Sequence, residues 1–193
     1  MLDILSWNCQ RAGYDRFVAH LLSFCGPHRP DLVFIFEPRI SDDHARQVIA
    51  KIGFDGSLIA DAVGFARGIW VLWRESNLEV TEITRWEQMI HMKCARRGGS
   101  GTSVLVSAVY GSPHALPRNE LWAELRRLSG DISLPWLLTG NFNSILSPRD
   151  GMGGAEYNDY RTRAFRSCVD DCALLEVGFT GPRFTWRRGN ISQ

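Results

Sequence analysis

Two hydrophobic periods alternate along this chain, and the switches between them mark out its elements. Leu2 to Trp7 reads as a short apolar strand, after which Phe17, Leu21 and Phe24 recur at helical spacing. Pro27 and Pro30 are expected to end that helix, and Asp31 to Phe36 has the β-branched and aromatic make-up of a buried strand. Ser41 stands where an N-cap belongs, with Asp42 and Asp43 in the first turn, where the helix dipole favours acids. Ala45, Val48, Ile49 and Ile52 form the stripe of this second helix, and Gly53 closes it. Strands are predicted at Gly68 to Trp73, Leu78 to Thr84, Met89 to Cys94 and Ser103 to Tyr110, with a hairpin-type loop over Arg97 to Gly101. A helix beginning near Pro117 carries Leu121, Leu125 and Leu128 and stops before Gly130. Leu134 to Thr139 is a further buried strand, expected to break at Gly140. A polar, glycine-rich loop over Ser147 to Tyr157 leads to a helix over Asp159 to Leu174, and Phe184 to Arg187 is strand-like.

Short buried strands separated by amphipathic helices indicate a layered α/β fold, and the consecutive strands of the middle add antiparallel pairing. Neither a repeat nor a linker divides the sequence, so residues 1–193 are expected to form a single domain. Composition leaves this picture standing: 45% hydrophobic and 22% charged residues suit a packed core and argue against disorder. The apolar runs are far too short to span a bilayer, and the acid at Asp3 without a basic flank is unlike a secretory signal. An intracellular protein, nuclear or cytoplasmic, with no membrane partner is expected. The five scattered cysteines make no Cys-x-x-Cys pair, which argues against a zinc site and fits a reducing compartment. A net charge of +1 supplies no global field toward nucleic acid. Of the 22 basic residues only Lys51 and Lys93 are lysines. That arginine bias has two readings, bidentate phosphate contacts or a GC-rich coding sequence.

Polar groups recur where the apolar strands end. Asn8 follows the first and Glu37 the second, Tyr110 closes the long middle strand, and Asn141 and Asn143 follow the next. Strand ends along one edge of an α/β sheet are where sites are built. Taken singly, each also has a structural reading: the asparagines as turn residues, Tyr110 as a core tyrosine, Glu37 as a loop carboxylate.

Their order and flanks narrow these readings. Ser6 to Arg11 resembles the "SWNCRG" opening of plant LINE-type (non-LTR) retrotransposon endonuclease domains, and Pro30 to Pro38 resembles their "PDLVFLMET" strand. Val109 to Pro113 is similar to "VYGxP", and Leu134 to Asn143 to "LPWLCIGDFN". Leu175 to Trp186 is similar to "LxDLGFxGPxFTW". No single block suffices, but the five in one order identify a resemblance to the endonuclease/exonuclease/phosphatase superfamily. The resemblance implies a DNase I-like fold, a two-sheet β-sandwich flanked by helices, that hydrolyses DNA phosphodiesters with Mg²⁺ or Mn²⁺. It implies Glu37 as metal ligand with Asn8 beside it, Tyr110, Asn141 and Asn143 as catalytic positions, and Asn143 and Thr185 as substrate contacts. A hard cation wants carboxylate oxygens, and a phosphoryl transition state needs donors and a cation for its charge. The DNA backbone is the implied partner, with a downstream reverse transcriptase in the same polyprotein.

Two departures bear on activity. The aspartate of "GDFN" is Asn141 here, which keeps the shape and loses the charge. Loss of a general base typically lowers rates by about 10²–10⁴. The "RLDR" and "SDH" strands that follow "FTW" in such domains have no counterpart before Gln193, so the domain is expected to be incomplete at its C-terminus. The five histidines match no such motif and read as structural or surface groups. The expectation is therefore an endonuclease domain by descent with severely impaired hydrolysis. The rival is a non-catalytic nucleic-acid-binding remnant, or a translated fragment with no selected role.

Overall fold

Two uninterrupted apolar strands, LVFIF at Leu32–Phe36 (β2) and IWVLW at Ile69–Trp73 (β4), pair antiparallel in the middle of the first sheet of the computed structural model. Every residue of both is buried, as a strand covered on two faces requires. The structure describes residues 2–62, 67–99, 101–147, 150 and 159–181. The chain divides into two compact units, residues 1–113 with 132–142, and residues 114–131 with 143–193.

The first unit holds both sheets. One has the order β1-β2-β4-β3, with β1 at Ile4–Asn8 running parallel to β2 and β3 at Gly56–Ala60 antiparallel to β4. The other, ordered β5-β6-β7-β8, comprises Leu78–Trp86, Met89–Arg96, Val104–Tyr110 and Trp136–Asn141. Its first three strands are antiparallel neighbours, and β8 joins β7 in parallel. Leu32, Phe34 and Phe36 on one sheet, with Ile90, Met92, Val106 and Ala108 on the other, build the core between the sheets. The alternate residues Val33, Ile35, Trp70 and Leu72 face outward, under Phe17 and Leu21 of α1 (Phe17–His28) and the Ala45, Val48, Ile49, Ile52 stripe of α2 (Asp42–Ile52). Two mixed sheets with flanking helices are the fold expected from the sequence blocks.

In the second unit, α3 (Ala115–Ser129) and α4 (Asp159–Asp171) are joined through Trp122 and Phe165, whose rings stack with centroids 4.8 Å apart. Arg126 reaches Asp171 at 2.7 Å across the same pair of helices. Among the described residues no helix is long and apolar enough to cross a membrane.

Several element ends differ from expectation. Pro27 does not stop α1, which includes it in the last turn, ends at His28 and is capped by Arg29 in the left-handed conformation with φ 44°. Ser41 occupies the N-cap position of α2, yet its hydroxyl donates to the Asp42 carboxylate and makes no cap bond. Strand β3 was not foreseen; its five residues pair with β4, and Trp73 lies over Gly56, leaving no room for a side chain there. Gly140 does not break β8. The strand runs through it to Asn141 because a glycine at φ 149° can press its Cα against the Val109 carbonyl, where any Cβ would collide. The expected strand over 184–187 and most of the 147–157 loop lie outside the described residues.

Candidate functional site

Strand polarity brings the candidate groups of the first unit to one edge. Because β1 is parallel to β2, Asn8 stands opposite Phe36, one residue before Glu37. Because β8 is parallel to β7, Asn141 stands opposite Tyr110. Period-two alternation then sets the character of the inner faces of β1 and β8. Ile4 and Leu137 pack on the core between the sheets, and two residues further on Thr139 donates to the Ser6 hydroxyl at 2.9 Å. Two residues beyond that pair come Asn8 and Asn141. The sandwich interior thus passes from apolar to hydroxyl to amide on its way to the edge.

Glu37 sits where these rows converge. Its Oε1 accepts from the Asn8 amide at 3.2 Å and from the Asn141 amide at 3.1 Å. Its Oε2 accepts from an Arg39 guanidinium nitrogen at 2.8 Å and has the Arg67 Nε at 3.7 Å. The carboxylate is 10% exposed, whereas the two arginine side chains are 42% and 41% exposed. Each amide must turn its Nδ2–H toward the carboxylate, since an amide oxygen facing a carboxylate oxygen is repulsive.

The backbone beneath this cluster is unusual. Glu37 has φ 58° and Arg39 φ 55°, the left-handed region that non-glycine residues seldom adopt. Such conformations cost about 1–3 kcal/mol each and persist only where the surroundings enforce them. Here the enforcement is explicit on both flanks. Cys9 N–H donates to Phe36 O at 3.0 Å and Ala12 N–H to Pro38 O at 2.8 Å, tying the segment to the β1 side. Glu37 N–H donates to Gly68 O at 3.2 Å and Arg39 N–H to Arg67 O at 3.1 Å, tying it to the segment before β4. Gly68, at φ 86°, would push a Cβ to 3.1 Å from the Pro38 ring. Cys9 lies against this loop, its thiol donating to the Glu37 carbonyl at 3.6 Å. Burial, the largest cause, lifts that thiol from its usual 9.0 to about 12, so it is a neutral packing group at physiological pH and no nucleophile.

The sequence-predicted residues have different fates. Asn8, Glu37 and Asn141 come together through direct hydrogen bonds. Tyr110 ends β7 beside Asn141, but its side chain is 1% exposed and belongs to the core between the sheets. Asn143 lies in the second unit, exposed and with φ 46°. Thr185 lies outside the described residues. The sequence reading missed Arg39 and Arg67; the signal available was the pair of arginines just after the Glu37-Pro38 step and just before Gly68. Of the histidines, His91 fits a structural role, buried on β6 with its Nδ1 2.7 Å from the Ser107 hydroxyl.

Mg²⁺ takes one or two carboxylates plus water and phosphate oxygens. Glu37 is the one carboxylate of this cluster, and both its oxygens are engaged by nitrogen donors, two of them cationic. Among the described residues no three acidic, histidine or cysteine side chains are grouped to hold a metal. The residues present do not fit a resident divalent cation.

Two mixed sheets with flanking helices match the DNase I-like endonuclease/exonuclease/phosphatase fold. Residues 5–192 match the Endonuclease/Exonuclease/phosphatase family, and the chain belongs to it. Members of this family generally depend on a divalent metal. Among solved structures, the chain is similar to the endonuclease domain of TRAS1, a telomere-specific non-LTR retrotransposon, at 14% identity and TM-score 0.62, covering 89% of this chain and 72% of that one. The AP endonuclease LMAP from Leishmania major is similar at 14% identity and TM-score 0.67, with 89% and 66% covered. The 3′ phosphatase NExo from Neisseria, solved with a product DNA hairpin, is similar at 14% identity and TM-score 0.61, with 89% and 71% covered. The chain thus spans from 66% to 72% of these relatives' own lengths. None of the curated proteins matches the sequence.

Proposed function

We propose that this chain is a LINE-type endonuclease domain by descent, of plant origin, that grips the phosphodiester backbone of DNA at the Glu37 edge and hydrolyses it poorly or not at all. The observation that carries this reading is the Asn141 amide hydrogen-bonded to Glu37 at the position where the family block has an aspartate. An amide takes no proton from an attacking water and attracts a cation less strongly than a carboxylate; loss of the general base alone removes a contribution of about 10²–10⁴ in rate. The preference for the retroelement branch over abasic-site repair enzymes rests on the wording of the "LPW", "GFTGP" and "FTW" blocks, because related folds share core residues across substrates. On this reading residues 1–193 are one domain, and a reverse transcriptase on the same polyprotein is its natural neighbour.

Plasmid nicking tests the proposal. Purified protein with Mg²⁺ is expected to leave supercoiled DNA intact or to nick it only slowly. Robust nicking that disappears in Glu37→Ala overturns it.

A further inference from the structure

We infer that Arg39 and Arg67 are the phosphate receptor of this edge and that they work without a metal, with Glu37 as the internal anion they hold until a phosphate arrives. The inference rests on the reading of the chain as a nucleic-acid backbone binder, and it specifies how that binding is done. Three observations combine. First, two guanidiniums face one carboxylate oxygen, and the remaining members of the cluster are neutral amides, so its formal charge is +1. A centre with that balance attracts phosphate and repels a divalent cation. Second, the charges differ in access. The carboxylate is 10% exposed, while the arginine side chains are about four-tenths exposed. Each guanidinium has five N–H donors in a fixed fork, and Glu37 engages a single nitrogen of each, leaving donor edges for a second oxyanion. Third, the two arginines are fixed relative to one another. Arg39 N–H donates to the Arg67 carbonyl at 3.1 Å, so their side chains leave a shared backbone step.

Asn141 is central to this arrangement. With an aspartate there, two carboxylates would balance two guanidiniums, the net attraction for an anion would vanish, and a second carboxylate would be on hand for a hard cation. With the amide, the balance tips toward phosphate. The asparagine thus does more than weaken hydrolysis; it changes which ion the edge selects.

The test uses the full chain, a fluorescein-labelled DNA duplex and Mn²⁺ followed by its EPR signal. Wild-type protein is expected to bind the duplex equally well in EDTA and in Mg²⁺, within about twofold, and to leave the Mn²⁺ signal free. Glu37→Gln, which removes the competing internal anion, is expected to tighten duplex binding severalfold. Arg39→Ala alone strands a buried carboxylate and can unfold the chain, so the decisive variant is Glu37→Gln with Arg39→Ala. It is expected to lose about tenfold in affinity relative to Glu37→Gln, the size of one charge-assisted contact. Its salt dependence should be shallower by about one unit of log–log slope. Asn141→Asp is expected to weaken duplex binding in EDTA and to capture Mn²⁺. Duplex binding that requires Mg²⁺, or Mn²⁺ captured by wild-type protein and lost in Glu37→Gln, overturns the inference while leaving a DNA-binding edge in place. Duplex binding that is undetectable in either condition overturns the inference and the DNA-binding reading with it. Robust nicking is the separate outcome that overturns impaired hydrolysis alone.

Discussion

Strand β2 is preceded by one buried carboxylate and followed by another, and the two are held in opposite ways. At its start Asp31, 6% exposed, accepts from the Asp3 backbone N–H at 3.0 Å and from Arg96 of β6 at 2.6 Å. At its end Glu37, 7% exposed, accepts from side chains alone, two amides and one guanidinium, with a second guanidinium nearby. Asp31 therefore holds a backbone donor just before β1 and ties the first sheet to the second through Arg96. Glu37 rests on a strained backbone turn among donors that can rotate away. Burial of a charge does not by itself distinguish a structural carboxylate from a site. The kind of donor and the conformation of the backbone do, since fixed partners stabilise one state and movable partners permit exchange.

The largest expected effect separates the two ends by stability. Asp31→Ala leaves the Asp3 N–H and Arg96 without their partner and should lower stability by about 3 kcal/mol, discounted for the partial exposure of Arg96. That is a fall of roughly 6–12 °C in Tm for a chain of this length. Duplex affinity of the folded fraction should stay within about twofold of wild type. A loss of DNA binding larger than the loss of stability would break the division of labour drawn above.

Alkaline pH should act next, through the thiols of Cys9 and Cys94. Burial raises Cys9, under Glu37, and Cys94, in the core between the sheets, from 9.0 to about 12. A raised folded pKa means that the native state keeps protons the unfolded chain gives up. The stabilisation is complete below about pH 9 and is lost progressively as pH rises toward 12. Urea midpoints are therefore expected to fall from pH 9 to pH 10 in wild type and to fall less in Cys9→Ala. A midpoint that rises over that interval contradicts the sign.

The smallest effect should belong to Glu37. Glu37→Gln retains an acceptor for Arg39 and leaves the backbone bonds of the turn in place, so denaturant melts should show a loss under about 1 kcal/mol. A loss as large as that of Asp31→Ala would make Glu37 a structural staple like its counterpart.

How far the edge could be read in advance follows from the same physics. Asn8, Glu37 and Asn141 were legible because a polar residue at the end of an apolar strand stands out, and parallel pairing carries such ends to one side. Glycines misled at 140, where a residue that usually interrupts strands lets β8 press against Val109. Strand β3 was missed because its Gly-Ser-Leu-Ile-Ala sequence depends on pairing with β4 and on the Trp73 ring for its burial. Arg39 and Arg67 were invisible for a different reason. Their meaning comes from a carboxylate they meet in three dimensions and from the left-handed turn at Glu37, neither of which a hydrophobic period encodes. Tyr110 could be read as a core residue or as a site residue, and its place in the core between the sheets is compatible with both.

Which ion the Glu37 edge selects is measured most directly by a pair of crystal structures of the chain with a short DNA duplex, one grown in EDTA and one in Mg²⁺. One and the same phosphate position is expected in both, its oxygens about 2.7–3.2 Å from the guanidinium nitrogens of Arg39 and Arg67. A cation seated on the Glu37 carboxylate in the Mg²⁺ crystal, with Arg39 swung away and the phosphate bound only there, would contradict it.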